Sequence, residues 1–93
     1  MPFYYTEKNE NIDDSGYKPV AVIASFNVKG EFIPLHIQLE ENNERITIKV
    51  DNVHRIVEKP AVIEYECYVT MNSRKKLIIL YYFIRNHIWK IKK

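Results

Sequence analysis

Residues 33–51 read IPLHIQLEENNERITIKVD, and this stretch decides the fold. From Ile33 to Glu40, aliphatic residues alternate with polar residues or proline, and the same alternation returns from Ile46 to Asp51. A period of two residues is typical of a β-strand that has one face in the core. The polar segment 41–44 contains two asparagines, which tolerate left-handed backbone angles, so it predicts a tight turn. The stretch therefore predicts a β-hairpin.

The preceding segment has the same period. From Val20 to Val28 the apolar residues fall on one face, and Lys29-Gly30-Glu31 predicts the turn into the next strand. Pro34 suits an edge strand or the start of a strand, because proline cannot donate to the ladder. The residues predicted to face the core here are Val20, Val22, Ala24, Phe26, Val28, Ile33, Leu35, Ile37 and Leu39.

The second half of the chain continues the pattern. After Pro60, the residues from Ile63 to Val69 alternate, with Ile63, Tyr65, Cys67 and Val69 predicted to face the core. Residues 72–74 predict a turn. The segment Leu77–Ile84 is apolar on both faces, short, and rich in β-branched and aromatic residues, which favours a strand buried on both sides. Arg85-Asn86-His87 predicts the last turn, before a final strand from Ile88 to Lys92.

The segment from Asn52 to Lys59 is ambiguous. Val53, Ile56 and Val57 have helical spacing, and Asn52 is a good residue to cap a single helical turn. The alternative, which we favour, is that the preceding strand bends and continues to Val57, before Pro60 prevents it from extending further.

These strands predict an all-β protein, a small antiparallel barrel or sandwich of six to seven strands. We expect one domain over residues 18–93 and a flexible N-terminal arm over residues 1–17, because residues 6–18 contain a single aliphatic residue. The aromatic cluster Phe3, Tyr4 and Tyr5 is the exception in the arm. It is expected to dock either on the domain or on a neighbouring molecule.

Composition limits the class of protein. The single cysteine, Cys67, excludes an intramolecular disulfide. The N-terminus has no basic segment followed by an apolar one, and the longest apolar run has eight residues, so we expect neither a signal peptide nor a membrane span. These observations favour a cytoplasmic protein.

The sequence favours a protein that is not an enzyme. The three histidines are far apart, no second cysteine is present, and the two glycines form no phosphate-binding loop, so no metal or cofactor site is predicted. Glu64 and Glu66 share one face of a strand, where paired carboxylates are commonly solvated or paired with lysines. Cys67 lies on the apolar face, where a free cysteine usually acts as a small hydrophobe. No small-molecule substrate is evident.

Charge is divided sharply along the chain. Residues 1–66 contain seven basic and twelve acidic residues and sum to −5, whereas residues 67–93 contain seven basic and no acidic residues. Small barrels bind single-stranded nucleic acid by combining a positive groove with stacking aromatic rings. The late strands offer both, so we expect a non-enzymatic binding module, with single-stranded nucleic acid as the leading hypothesis for its partner. Its candidate residues are Arg74, Lys75, Lys76, Tyr82, Arg85, Trp89, Lys90 and Lys92.

Two alternatives stay open. In the first, the aromatic residues fill the core. The lysines then either protect an edge strand from aggregation or pair with Glu58, Glu64 and Glu66 across the sheet. In the second, the outer face of Leu77–Ile84 is buried in a homodimer or another protein–protein interface.

The segments Gly30–Leu35, Glu40–Asn43 and Ile48–Val53, together with Trp89, resemble small uncharacterised all-β proteins of low-GC bacteria. Some of those proteins are encoded beside translesion DNA polymerases. The resemblance covers mainly residues 20–53, and no catalytic residues come with it. It implies an all-β cytoplasmic accessory protein that acts near DNA.

Overall fold

The computed structural model describes residues 16–92, in which six β-strands form a closed antiparallel barrel. The strands are β1 (Tyr17–Phe26), β2 (Phe32–Glu41), β3 (Glu44–Glu58), β4 (Val62–Met71), β5 (Arg74–Phe83) and β6 (Ile88–Lys92). Each strand pairs with the next one along the chain, and β1 also pairs with β6. The predicted all-β fold is confirmed, as a barrel rather than a sandwich. Within residues 16–92 no helix is long and apolar enough to cross a membrane.

The strand β1 begins at Tyr17, one residue before the predicted start of the domain at Lys18. Residues 1–15, most of the predicted N-terminal arm, lie outside the described residues. The expected docking of Phe3, Tyr4 and Tyr5 therefore stays a prediction.

The short turns follow from residues that accept positive φ angles. Asn42 and Asn43 have φ of 53° and 64°, and Asn72 and Ser73 have φ of 52° and 64°. Two successive positive φ values define the two-residue turn that matches the twist of a hairpin. The turns predicted at both places are confirmed.

The turn between β1 and β2 is longer. The Oδ1 atom of Asn27 accepts hydrogen bonds from the backbone N–H groups of Lys29 and Glu31, at 2.9 and 3.0 Å, and Gly30 takes a φ of 84°. Val28 lies in this turn and is fully exposed. Its predicted place on the core face was wrong, because the alternation ends with β1 at Phe26.

A β-bulge changes the face of β2. Ile23 of β1 lies opposite His36, but the next residue, Ala24, lies opposite Pro34, so Leu35 is an extra residue on β2. Pro34 is fully buried, whereas Ile33 and Leu35 are exposed. The predicted core positions of Ile33 and Leu35 were therefore wrong, while Ile37, on the far side of the bulge, is buried as predicted. A bulge also suits proline, because the regular ladder is interrupted there.

The ambiguous segment is the bent strand. β3 runs without a break to Glu58, and its pairing with β4 shifts between Val50 and Asn52 and again between Val53 and Arg55. Asp51 and His54 are therefore extra residues on β3. As a result, the residues of β3 that lie opposite the inward-facing residues of β4 are three positions apart, at Val50, Val53 and Ile56. Two bulges in sequence thus produce the spacing that resembled a helical turn.

The core lies inside the barrel. Its buried residues are Ile37, Ile48, Val50, Tyr65, Cys67, Val69 and Leu80. The hydroxyl of Tyr65 donates a hydrogen bond to the backbone carbonyl of Phe32, at 2.9 Å, which satisfies the one polar atom of that side chain. The pairing of β1 is divided between two strands and closes the barrel. Its residues Tyr17–Val20 pair with β6, and Ala21–Phe26 pair with β2.

The prediction that Leu77–Ile84 is buried on both faces holds only at its centre. Leu80 on the inner face and Tyr81 on the outer face are buried, but Leu77 is 49% exposed and Ile84 lies exposed in a turn. The reason is the short partner strand: β6 pairs only with Tyr81–Phe83. Within residues 16–92, the first part of β5 has a ladder on its β4 side alone.

Candidate functional site

The strand register sorts the predicted binding residues by face, because directly opposite residues of paired strands project to the same side of a sheet. Lys75 lies opposite Thr70, Lys90 lies opposite Tyr81, and Lys92 lies opposite Tyr17. These three lysines project from the outer face of the barrel, away from Cys67 and Leu80.

The two aromatic residues of the predicted set project inward. Tyr82 and Trp89 are opposite one another, with ring centroids 5.1 Å apart, and both pack against the core. Each also contacts Phe32, and Trp89 contacts Tyr65 at 5.2 Å. The structure therefore does not bring these rings together with the outer-face lysines.

The remaining three residues lie elsewhere. Arg74 is opposite Met71 and Lys76 is opposite Val69, so both project from the inner side of the β4–β5 hairpin, near its turn. Arg85 lies in the turn between β5 and β6, at the other end of the barrel. The eight predicted residues thus fall into separate groups rather than one patch.

Other aromatic residues accompany the outer-face lysines. The Nζ atom of Lys75 lies 4.9 Å from the ring centroid of Tyr68, and that of Lys90 lies 4.8 Å from the ring centroid of Phe83. Tyr17 of β1 contacts Phe83 at 5.7 Å. We name this set the outer aromatic face; it consists of Tyr17, Tyr68, Lys75, Tyr81, Phe83, Lys90 and Lys92.

Strand parity is the signal that could have found these residues. Lys75, Tyr81 and Phe83 are separated by even numbers of residues on β5, so they must share a face in any regular strand. Tyr82 has the opposite parity. Strand parity could not have identified Tyr17, because only barrel closure brings β1 beside β6.

The acidic residues of the neighbouring strand are paired with cations from the first part of the chain. Glu64 forms an ion pair with Lys59 at 2.7 Å, and Glu66 forms one with Arg55 at 3.9 Å. The hydrogen bond and the charge of Glu64 raise the pKa of Lys59 above its usual value. Glu58 lies opposite Ile63 at the far end of β4. The expected pairing of Glu64 and Glu66 with the late lysines is therefore replaced by pairs with Lys59 and Arg55.

Two titratable side chains are buried in the barrel. Burial raises the pKa of Cys67 to about 11 and is the main cause that raises the pKa of Tyr65 to about 12. Both groups are therefore neutral at physiological pH. The thiol is fully buried and contacts the carbonyl oxygen of Tyr65 at 3.6 Å, an environment in which a cysteine is an inert core residue.

In the part of the chain that the structure describes, no three His, Cys, Asp or Glu side chains are close enough together to hold a metal ion. His54 contacts the ring of Tyr68, with ring centroids 5.5 Å apart.

Comparison with known proteins adds no guide to function. No protein-family model, no curated protein and no solved structure matches this chain.

Proposed function

We propose that this barrel is a binding module for single-stranded nucleic acid, and that the outer aromatic face is its binding surface. The observation that carries the proposal is the placement of two lysine ammonium groups directly over aromatic rings of one face, Lys75 over Tyr68 and Lys90 over Phe83. Proteins that bind single strands without sequence preference combine cations that follow the phosphates with rings on which bases stack. Here both components occur on adjacent strands.

The electrostatics of the face support an anionic partner. Glu64 and Glu66 lie on the neighbouring strand β4, their side chains are 22% exposed, and each has a cation of its own in Lys59 or Arg55. Asp51 accepts a hydrogen bond from the hydroxyl of Thr70, the residue opposite Lys75, at 2.7 Å. Within residues 16–92, neither glutamate forms an ion pair with Lys75 or Lys92. The charges of Lys75 and Lys92 on this face therefore favour an anionic partner.

The aromatic residues differ in how a base would reach them. Tyr68 and Phe83 are half-buried, so part of each ring faces solvent, whereas Tyr81 is buried beneath Tyr17 at a centroid distance of 5.0 Å. Stacking would therefore use Tyr68, Phe83 and Tyr17, with Tyr81 supporting them. Because every base has a π-face, such a surface is tolerant of sequence.

The test is fluorescence anisotropy with a labelled single-stranded oligothymidylate at several salt concentrations. The double variant Lys75→Ala/Lys90→Ala should bind roughly tenfold more weakly, and the slope of log affinity against log salt should fall by about 1.4, since a single strand loses about 0.7 per phosphate contact. The matched control is Lys29→Ala/Lys49→Ala, which removes the same charge from the β1–β2 turn and from β3.

Two results would contradict the proposal. One is the absence of binding at low salt. The other is an equal loss of affinity in the control double variant, because binding would then follow net charge rather than this face.

A second candidate function is self-association through the outer face of β1 and β2. On the outer face of β1 and β2, Ile23 is 55% exposed, Ile33 is 40% exposed and Leu35, at the bulge, is 37% exposed. Neighbouring exposed aliphatic side chains are typical of protein interfaces. Sedimentation velocity at high protein concentration should then show a dimer that Ile23→Ser with Ile33→Ser converts to monomer, and a monomer of the unaltered protein would exclude this function.

A further inference from the structure

One end of the barrel contains an apolar cavity. It has a volume of about 280 Å³ and lies near the β2–β3 and β4–β5 hairpins. Aliphatic side chains from five strands line it, among them Leu39, Ile48, Met71, Ile78 and Ile91. The volume is just below the usual range for drug-sized ligands, so the cavity suits a slender apolar chain better than a ring system.

The cavity reaches the edge of β5. Ile78 and Ile79 are consecutive and therefore project to opposite faces of the strand, yet both line the cavity. In the described chain, the ladder between β5 and β6 begins only at Tyr81. The cavity thus opens beside the part of β5 that has no such ladder.

Cations lie on one side of this opening. Lys92 contributes to the lining, and Arg74 and Lys76 lie opposite the lining residues Met71 and Val69, on the same face. Lys18 lies opposite Ile91, another lining residue. The positive charges therefore come from the three strands β5, β6 and β1, which are adjacent.

The acidic residues at this end belong to the β2–β3 hairpin, where Glu44 has the same strand parity as the lining residue Ile48. Glu40 there forms an ion pair with Arg45 at 3.7 Å. An apolar interior with cations on one side of its mouth is complementary to a molecule with an apolar tail and an anionic head.

We propose that this cavity binds an alkyl carboxylate, with the chain among the aliphatic side chains and the carboxylate beside Lys92, Lys76 and Arg74. Burial of the chain supplies the binding free energy, because each methylene removed from water is favourable. The carboxylate stays at the exposed mouth, where it keeps most of its hydration and avoids the cost of burying a charge. Nothing in the sequence pattern indicated this ligand, since the lining residues come from five separate strands.

Isothermal titration calorimetry of the full chain with octanoate tests the proposal. Affinity should rise about threefold to fourfold for each methylene from butanoate towards octanoate and then level off when the cavity is full. Met71→Trp, which fills the mouth with a larger side chain, should weaken octanoate binding at least tenfold. Circular dichroism of this variant checks that the barrel is still folded.

The headgroup is tested separately. Lys76→Ala with Lys92→Ala should weaken octanoate severalfold and leave octanol unchanged, whereas Lys75→Ala with Lys90→Ala, on the outer aromatic face, should change neither. The proposal is overturned if millimolar octanoate gives no saturable heat. It is equally overturned if Met71→Trp binds octanoate as well as the unaltered protein, or if octanol binds as tightly as octanoate and the lysine variants have no effect.

Discussion

Replacing Leu80 by alanine is expected to lower the free energy of unfolding by about 3 kcal/mol, within the range of leucine-to-alanine changes in cores. Leu80 is fully buried and lies opposite Tyr65 on β4, in the centre of the core. Truncation removes apolar contacts and leaves a cavity that close-packed neighbours fill only in part. The measurement is urea denaturation, in which the midpoint should fall while the m-value stays constant.

The matched control lies three residues earlier on the same strand. Leu77 is 49% exposed, so Leu77→Ala makes the same chemical change where little apolar surface is buried. We expect it to cost less than about 1 kcal/mol. Similar losses for the two variants would show that the barrel interior is not the main source of stability.

The second large effect is expected in alkali. The pKa of Cys67 rises from 9.0 to about 11 on folding, and that of Tyr65 rises from 10.0 to about 12. Between these values the unfolded chain releases protons that the folded chain retains, so stability is fully present below pH 9 and falls as the pH rises towards 12. Each group contributes at most about 1.4 kcal/mol per pH unit within its window. The loss over the whole window is on the order of 3 to 5 kcal/mol.

Urea denaturation at a series of pH values measures this loss. Tyr65→Phe should cost about 1 kcal/mol at neutral pH, because the Phe32 carbonyl loses its hydrogen bond, yet it should make the alkaline loss smaller. Tyr68→Phe leaves both buried groups in place and serves as the control, with an unchanged alkaline loss. Equal pH dependence in Tyr65→Phe and the unaltered protein would contradict the role given to Tyr65.

Much of the barrel was predictable from local pattern. The hairpin of residues 33–51 and the turns at Asn42-Asn43 and Asn72-Ser73 follow from side-chain alternation and from residues that accept positive φ. The bulges at Leu35, Asp51 and His54 were not predictable, because their positions depend on the curvature that the strands need to close the barrel. The local sequence contains little information about that curvature.

The candidate site was predictable in part. Charge along the chain identified the late lysines, and strand parity was sufficient to separate Tyr82 from Lys75 and Phe83. The partnership of Tyr17 with Phe83, and the cavity between Met71 and Ile91, depend on which distant strands become neighbours. That information resides in the closed barrel rather than in any single segment.

The divided pairing of β1 has a consequence for the order of folding. The hairpin of β4 and β5 has a two-residue connection and ten opposed pairs, so it forms at low cost in chain entropy. The seam between Tyr17–Val20 and β6 joins the first strand to the last and encloses nearly the whole domain. Contacts of such long separation form late and slow the search for the native state. The barrel therefore closes last at this seam. Because contacts that form after the transition state mainly affect unfolding, a change in the stability of the seam alters the unfolding rate more than the folding rate.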